Sequence, residues 1–402
     1  MSKAIILVMD GLGDLPDAKG YTPLSAALKP NMDRLADEGA TGLFSSIGPG
    51  IVPGSDTSHL NIFGYEQEKY YPGRGPLEAM GARFPLKEGD IAFRANFATV
   101  ENGKIWDRRA GRITTEDAAV FAKYVQKLKV GTGIDAIVQP TVEHRGILVL
   151  RGKNLSPNIT PTDPHASGPL PKSIPLDPKD KAAKRTAEAL NKFTKMAMQK
   201  LEKAKENKER RRPVNAIIVR GAGTYMKVEP MFPRFGVRGA CIAGGALYKG
   251  VASYVGMDIV DVKGATGTFE TDLKAKGKAA LQALWSHDFV FVHVKATDSF
   301  SHDGKFEEKK NFIAKVDKEM MPALLRANCN IIITGDHSTP VKRRAHSGDP
   351  CPLLIWGPDV RRDEVKKFDE FSCGTGSLGR VDGTELFHIM LNLVEKAKMC
   401  GT

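Results

Sequence analysis

Three short, almost unbroken apolar runs, each leading into an acidic turn, constrain this chain more than anything else in it. Ala4-Ile-Ile-Leu-Val-Met9 leads into Asp10-Gly11, and Phe289-Val-Phe-Val-His-Val294 into Lys295-Ala-Thr-Asp298. Asn330-Ile-Ile-Ile-Thr334 leads into Gly335-Asp336-His337. Leu353-Leu-Ile-Trp356-Gly357 repeats the shape without the acid. Runs this short and dense are strands with both faces covered by helices, as in the parallel sheet of an α/β fold. Ligands of such sheets bind beyond the carboxyl ends of the strands. The three aspartates are therefore expected to converge on one site.

Histidines supply the second half of the pattern. Asp298 and His302 are four residues apart, a spacing that puts both on one face of a helix or turn. His337 follows Asp336 directly, and His346 comes nine residues later. Mixed carboxylate and imidazole ligands suit zinc, manganese or similar divalent ions rather than calcium. Three Asp and three His exceed one tetrahedral site and predict a pair of metals, usually ~3.5–4 Å apart. His287, His293 and His388 lie in apolar strand-like or helical settings and read as core or surface histidines. His59, four residues after Ser55, is a candidate for an accessory role.

Ile51-Val-Pro-Gly54 breaks the chain just before Ser55-Asp-Thr-Ser-His-Leu60, a turn feeding a helix N-terminus. A serine there meets exposed backbone N–H groups and the positive end of the helix dipole, which favours phosphate. Metal coordination also lowers a hydroxyl's pKa and makes it a nucleophile. A helix cap accounts for Ser55 equally well when that residue is taken alone.

At 402 residues the chain is long enough for two or three domains. Its net charge of +12 is concentrated. Between Lys179 and Arg212, thirteen Lys/Arg stand against five Asp/Glu, a net +8. Leu190, Phe193, Ala197 and Leu201 form a helical stripe in that segment, so it reads as a long amphipathic helix with a solvated basic face. It lacks the interleaved aromatics of a nucleic-acid platform. No apolar run approaches the ~20 residues of a membrane-spanning helix, and Ala4–Met9 is too short for a signal-peptide core. Five scattered cysteines with no C-x-x-C pair predict a reducing compartment and a cytoplasmic protein.

Taken together, Val8-Met-Asp10-Gly-Leu-Gly-Asp14, Pro53-Gly-Ser-Asp-Thr-Ser-His-Leu-Asn-Ile-Phe-Gly-Tyr65, Gly73-Arg-Gly-Pro76, Thr297-Asp298 through His302-Asp-Gly304, and Gly335-Asp-His337 resemble one family. It is the archaeal type of cofactor-independent (2,3-bisphosphoglycerate-independent) phosphoglycerate mutase, within the alkaline-phosphatase superfamily. The resemblance runs in order along essentially the whole chain. Ser301 departs from it, standing where the family usually has Gly before the histidine.

The resemblance implies an α/β, alkaline-phosphatase-like core, residues 1–65 and 235–402, with a mostly parallel sheet flanked by helices. An inserted α+β substrate-binding domain, residues 66–234, would interrupt it; its strand-like stretches are Ile147–Leu150 and Ala216–Val219. Asp298, His302 and His346 would hold one divalent metal, and Asp10, Ser55, Asp336 and His337 the other. Manganese is the foremost expectation, with zinc, cobalt or magnesium as alternatives. Ser55 would carry the phosphoryl group as a phosphoserine during interconversion of 3-phosphoglycerate and 2-phosphoglycerate, a step of glycolysis and gluconeogenesis. No bisphosphoglycerate would be needed, and the phosphoglycerate would be the partner, with no nucleic acid or membrane. A phosphopentomutase or metal-dependent phosphomonoesterase shares the core motifs, so the insert must discriminate. There Arg94, Arg109 and Arg112 offer planar, bidentate donors for carboxylate and phosphate. Asp163 and His165 are candidates for hydroxyl recognition or proton transfer, and Lys263 is a further candidate contact.

Overall fold

In the computed structural model, which describes residues 2–401, the strand Ala4–Met9 lies at the middle of an eight-stranded sheet. Across the sheet the order is Asp258–Ile259, Gly239–Ile242, Phe289–Val294, Ala4–Met9, Asn330–Thr334, Cys351–Trp356, Ala40–Ser45 and Gly379–Asp382. The first five are parallel neighbours. Their register puts Met9 beside Val294 and Val8 beside Thr334, so the acidic turns leave the sheet at one level.

Cys351–Trp356 is the exception. It runs antiparallel to both of its neighbours, so its carboxyl end lies at the opposite edge from Asp10 and Asp336. That direction explains why the fourth apolar run carries no acid: a carboxylate after Trp356 would be on the wrong side of the sheet.

Both faces are covered, as the unbroken apolar runs require. Ile5, Leu7, Val290, Val292, Ile331 and Ile333 pack with Phe312, Ile313 and Val316 of the helix Phe306–Glu319 and with Leu273 and Ala280 of the helix Leu273–Ala283. A fully buried side chain of this size stabilises the fold by roughly 1.5–3 kcal/mol. On the other face, Phe291 meets Phe63 and His59 edge-on, and Phe289 meets Phe387.

The chain divides into two compact units, the larger running up to Tyr71 and resuming at Val228, the smaller spanning Pro72–Lys227. These cuts lie inside the expected 66 and 234, for a physical reason. Tyr65 Oη donates to Glu229 O at 2.7 Å, and the Arg234 guanidinium lies over the Tyr65 and Tyr70 rings, 5.0 and 4.8 Å from their centroids. The flanks 66–71 and 228–234 are thus tied into the larger unit.

The smaller unit is a seven-stranded antiparallel sheet built around Ile91–Glu101, which pairs with Arg145–Arg151, Ala216–Thr224 and Lys104–Asp107. The helices Thr115–Val125 and Lys181–Glu202 bury Phe121, Leu190, Phe193, Ala197 and Leu201 against Phe93 and Phe97. Lys181, Lys184, Lys192, Lys195 and Lys200 of the second helix stay exposed. The basic segment is therefore the solvated face of a core helix. Among the described residues, no helix is long and apolar enough to cross a membrane.

Candidate active site

Ser55 is the first residue of the helix Ser55–Ile62, and the cap position belongs to Gly54, which makes no side-chain capping bond. The serine hydroxyl is thus free of the structural duty that the sequence alone left open. Its Oγ lies 3.1 Å from His337 Nε2 in a buried position.

Asp10, Asp336 and His337 surround that contact, each offering a ligand atom within 4.8 Å of the others. Asp336 Oδ1 accepts from the Gly11 and His337 backbone N–H groups at 3.0 and 3.1 Å. Asp336 Oδ2 is buried with no hydrogen-bond partner. Burial and the neighbouring Asp10 carboxylate push the Asp336 carboxyl up to about 7. Burial acts on Asp10 in the same sense, but Lys295, the hydrogen bond from His293 and His337 outweigh it and hold Asp10 well below the usual carboxylate range.

A second group, Asp298, His337 and His346, meets the same 4.8 Å condition. His302 is less enclosed, but its Nε2 lies 3.3 Å from Asp298 Oδ1. His337 and His346 stack at 3.7 Å between ring centroids, so the two groups are contiguous. All seven residues expected to hold metals are thus in one place, with His337 common to both groups. Ser301 is accommodated by donating to Thr297 O at 3.1 Å, one turn back in its own helix.

The outward-facing nitrogens decide whether this set suits a metal. His302 Nδ1 donates to Arg344 O at 2.9 Å, and His346 Nδ1 to Pro53 O at 2.8 Å. Carbonyls only accept, so both Nδ1 atoms carry the proton and both Nε2 atoms face the Asp298 carboxylate, 3.3 Å from Oδ1 for His302 and 3.6 Å for His346; the hydrogen bond to Asp298 raises the His302 pKa. Thr339 Oγ1 donates to Asp298 Oδ1 at 2.9 Å, so its lone pair accepts from His337 Nδ1 at 3.0 Å. Three imidazoles with Nδ1–H anchored outside and Nε2 turned inward are the arrangement of metal-ligating histidines. With three buried carboxylates and the unpartnered Asp336 Oδ2, the donors fit divalent ions that accept nitrogen and oxygen.

Three further residues belong to the site and were not assigned to it from the sequence. Lys295 Nζ lies 2.6 Å from Asp298 Oδ2 and 3.2 Å from the Asp10 carboxylate, a single ammonium between the two groups. His293 Nε2 donates to Asp10 Oδ2 at 3.1 Å, and Tyr248 Oη donates to the same oxygen. Burial drives the His293 pKa down to about 3, so it is a neutral donor stacked on Tyr248 at 3.6 Å. Both donors occupy Oδ2, while Oδ1 accepts from Lys295 and lies 3.5 Å from His337 Nε2. The core assignment of His293 holds for its packing and misses this bond. His59 is fully buried behind the serine, its Nδ1 on Ser55 O at 2.6 Å.

In the smaller unit the structure brings some of the expected substrate residues together and leaves others apart. Gly73 adopts φ +92°, and a Cβ on Gly75 would stand 2.0 Å from Ala92 O. The Gly73-Arg-Gly-Pro76 stretch thus presses the start of the helix Arg74–Gly81 onto the central strand. Arg74 and Arg94 both bond Glu78 Oε1, at 2.9 and 3.1 Å. Arg94 sits opposite Arg220 on the next strand. Asp163 takes Arg108 in a bidentate pair at 2.6 and 2.8 Å and Arg220 at 3.0 Å. Burial, with the neighbouring arginines, lowers Arg94 to about 10. Four guanidinium groups against two carboxylates leave this cluster with net positive charge. Arg109, Arg112 and His165 are exposed at its margin, and Lys263 is exposed in the larger unit. Arg74, Arg108 and Arg220 were not among the sequence candidates.

A family model described as 2,3-bisphosphoglycerate-independent phosphoglycerate mutase matches residues 36–207. The chain is 45% identical over 408 residues to 2,3-bisphosphoglycerate-independent phosphoglycerate mutase 1 of Methanocaldococcus jannaschii, with 99% of each covered. It is 46% identical over 411 residues to the corresponding Archaeoglobus fulgidus protein, again with 99% of each covered. This chain belongs to the 2,3-bisphosphoglycerate-independent phosphoglycerate mutase family. Among solved structures, a Pyrococcus horikoshii protein aligns over 100% of this chain and 99% of its own, with TM-score 0.86 and 36% identity. The cofactor-independent phosphoglycerate mutase of Thermoplasma acidophilum aligns over 98% and 100%, with TM-score 0.71 and 35% identity. Membership in this mutase family makes the chain an enzyme.

Proposed function

We propose that the enzyme interconverts 3-phosphoglycerate and 2-phosphoglycerate through a phosphoserine on Ser55, without 2,3-bisphosphoglycerate. The observation that carries this reading is the Ser55 hydroxyl at a helix start, uncommitted to capping and 3.1 Å from His337 Nε2. First-turn N–H groups and the helix dipole favour a phosphoryl group there. Lys295 adds a fixed positive charge beside it. Asp10, Asp336 and His337 would hold one divalent ion with Ser55, and Asp298, His302 and His346 the other. When bound, the pair supplies charge that lowers the hydroxyl pKa and neutralises the transferring group. Manganese remains the foremost expectation.

In the forward step the Ser55 Oγ–P bond forms as the C3–O–P bond breaks, and the serine proton passes to the C3 oxygen. Glycerate then presents its C2 hydroxyl, whose oxygen takes the phosphoryl group while its proton returns to Ser55. Recognition of the carboxylate is assigned to Arg94, Arg108 and Arg220, with Asp163 fixing the last two. Arg109, Arg112, His165 and Lys263 are further contacts on this reading. The reaction places the enzyme in glycolysis and gluconeogenesis. The five free cysteines, four of them buried, support a cytoplasmic setting.

The test is a coupled enolase assay on chelator-stripped protein resupplied with manganese, given 3-phosphoglycerate and no bisphosphoglycerate. Metal-dependent phosphoenolpyruvate with little free phosphate is expected. Phosphate without phosphoenolpyruvate would make the enzyme a phosphomonoesterase instead. In the same assay Arg220→Met should raise KM and lower kcat/KM about 10–100-fold, the worth of one or two charge-assisted hydrogen bonds. Manganese uptake should be unaffected, because Asp163 keeps its bidentate Arg108.

A further inference from the structure

Asp14 closes the Val8–Asp14 stretch yet takes no part in the site described above. It is buried, and its two oxygens each accept from the Val341 N–H at 3.1 Å. It also accepts from Lys309 Nζ at 2.9 Å. Lys309 lies in the first turn of the helix Phe306–Glu319 and is fully buried. The rest of its acceptors are backbone carbonyls: Gly11 O at 2.9 Å, Thr339 O at 3.3 Å and Gly13 O at 3.5 Å.

Those acceptors belong to two loops, the one that follows Met9 and carries Asp10, and the one that follows Thr334 and carries Asp336 and His337. Gly11 N reaches Asp336 Oδ1, and Thr339 Oγ1 reaches Asp298 and His337. One ammonium is thereby linked, through a single intervening residue, to members of both metal-ligand groups.

We infer that Lys309, paired with Asp14, is a positioning residue that fixes the spacing of the two metal-ligand groups. The inference rests on the two-metal reading above. A buried ion pair is a costly route to stability, since well-packed neutral replacements are often as stable. What it offers is direction. Lys309 pulls three loop carbonyls to one point, and Asp14 keeps the ammonium aimed.

Replacing both charges at nearly constant volume, Lys309→Met with Asp14→Asn, separates geometry from stability. With the fold retained by thermal melting, manganese affinity measured by calorimetry should fall tenfold or more, as it does when residues behind metal ligands are lost. The kcat should fall with KM nearly unchanged, because the substrate arginines are untouched. Unchanged manganese affinity in the folded double variant would overturn the inference. If that variant does not fold, the near-isosteric Asp14→Asn alone must still weaken manganese binding, and an unchanged affinity overturns the inference equally. Manganese uptake by the unsubstituted protein, with indifferent variants, would leave the metal reading standing and sink this one alone; no uptake at all would sink both.

Discussion

Ser55→Ala is expected to abolish phosphoenolpyruvate formation in the coupled assay, a loss on the order of 10³–10⁶-fold, as for other enzymes stripped of a covalent nucleophile. The variant should remain folded. Gly54 holds the cap position and the serine side chain makes no capping bond, so the helix start does not depend on the hydroxyl. The bond lost is the one to His337 Nε2, worth about 1 kcal/mol. Three of the four ligands assigned to that ion remain, so manganese uptake should persist. Mass spectrometry of acid-quenched protein gives an independent reading. A phosphorylated peptide spanning Ser55 should appear in the unsubstituted enzyme incubated with 3-phosphoglycerate and be missing from the variant. Substantial mutase activity in Ser55→Ala would remove the phosphoserine from the mechanism.

How much of this site was legible beforehand follows from where each residue sits. Asp10, Asp298 and Asp336 could be placed because each follows the end of a buried run within four residues, and the end of a parallel strand is a fixed point in an α/β fold. The histidines followed by short separations from those aspartates. Tyr248 gave no such signal, because the helix Ala246–Tyr254 reaches Asp10 only through tertiary packing. His293 was hidden by its own strand. It is as buried as the valines on either side, and burial alone does not tell a packing histidine from a donor. Lys295 was the readable omission: a cation directly after a buried strand, three residues before Asp298, has few uses other than facing that carboxylate.

The smaller unit was less legible for a related reason. Its sheet is antiparallel, so Arg94 and Arg220 lie within strands rather than at strand ends, and cross-strand pairing brings them together. Arg94 and Arg220 are opposite one another yet 126 residues apart in sequence. The Asp107–Arg112 stretch concentrates arginines, but only Arg108 reaches Asp163. The turn that follows, with φ of +45° at Ala110 and +56° at Arg112, carries the later arginines out toward solvent.

The second large effect is expected from Asp336→Asn, and its sign should depend on metal. Asparagine keeps Oδ1 for the Gly11 and His337 N–H groups, so the loop retains its backbone anchors. The change is confined to Oδ2, a buried carboxylate oxygen without a partner beside the Asp10 carboxylate. Such a group costs ~1–3 kcal/mol when nothing satisfies it. In chelator-stripped protein the variant should therefore melt higher, by roughly 2–4 °C for each kcal/mol relieved in a unit of this size. At saturating manganese the order should reverse, because the carboxylate would then be a ligand and its loss should weaken binding beyond the ~10–100-fold that supporting residues cost. Mutase activity should fall at least as far. Melting curves of both proteins, with chelator and with manganese, check the crossing directly. Equal destabilisation in both conditions would make Asp336 a structural carboxylate and withdraw it from the metal site, whereas a crossing ties its unpartnered oxygen to a cation.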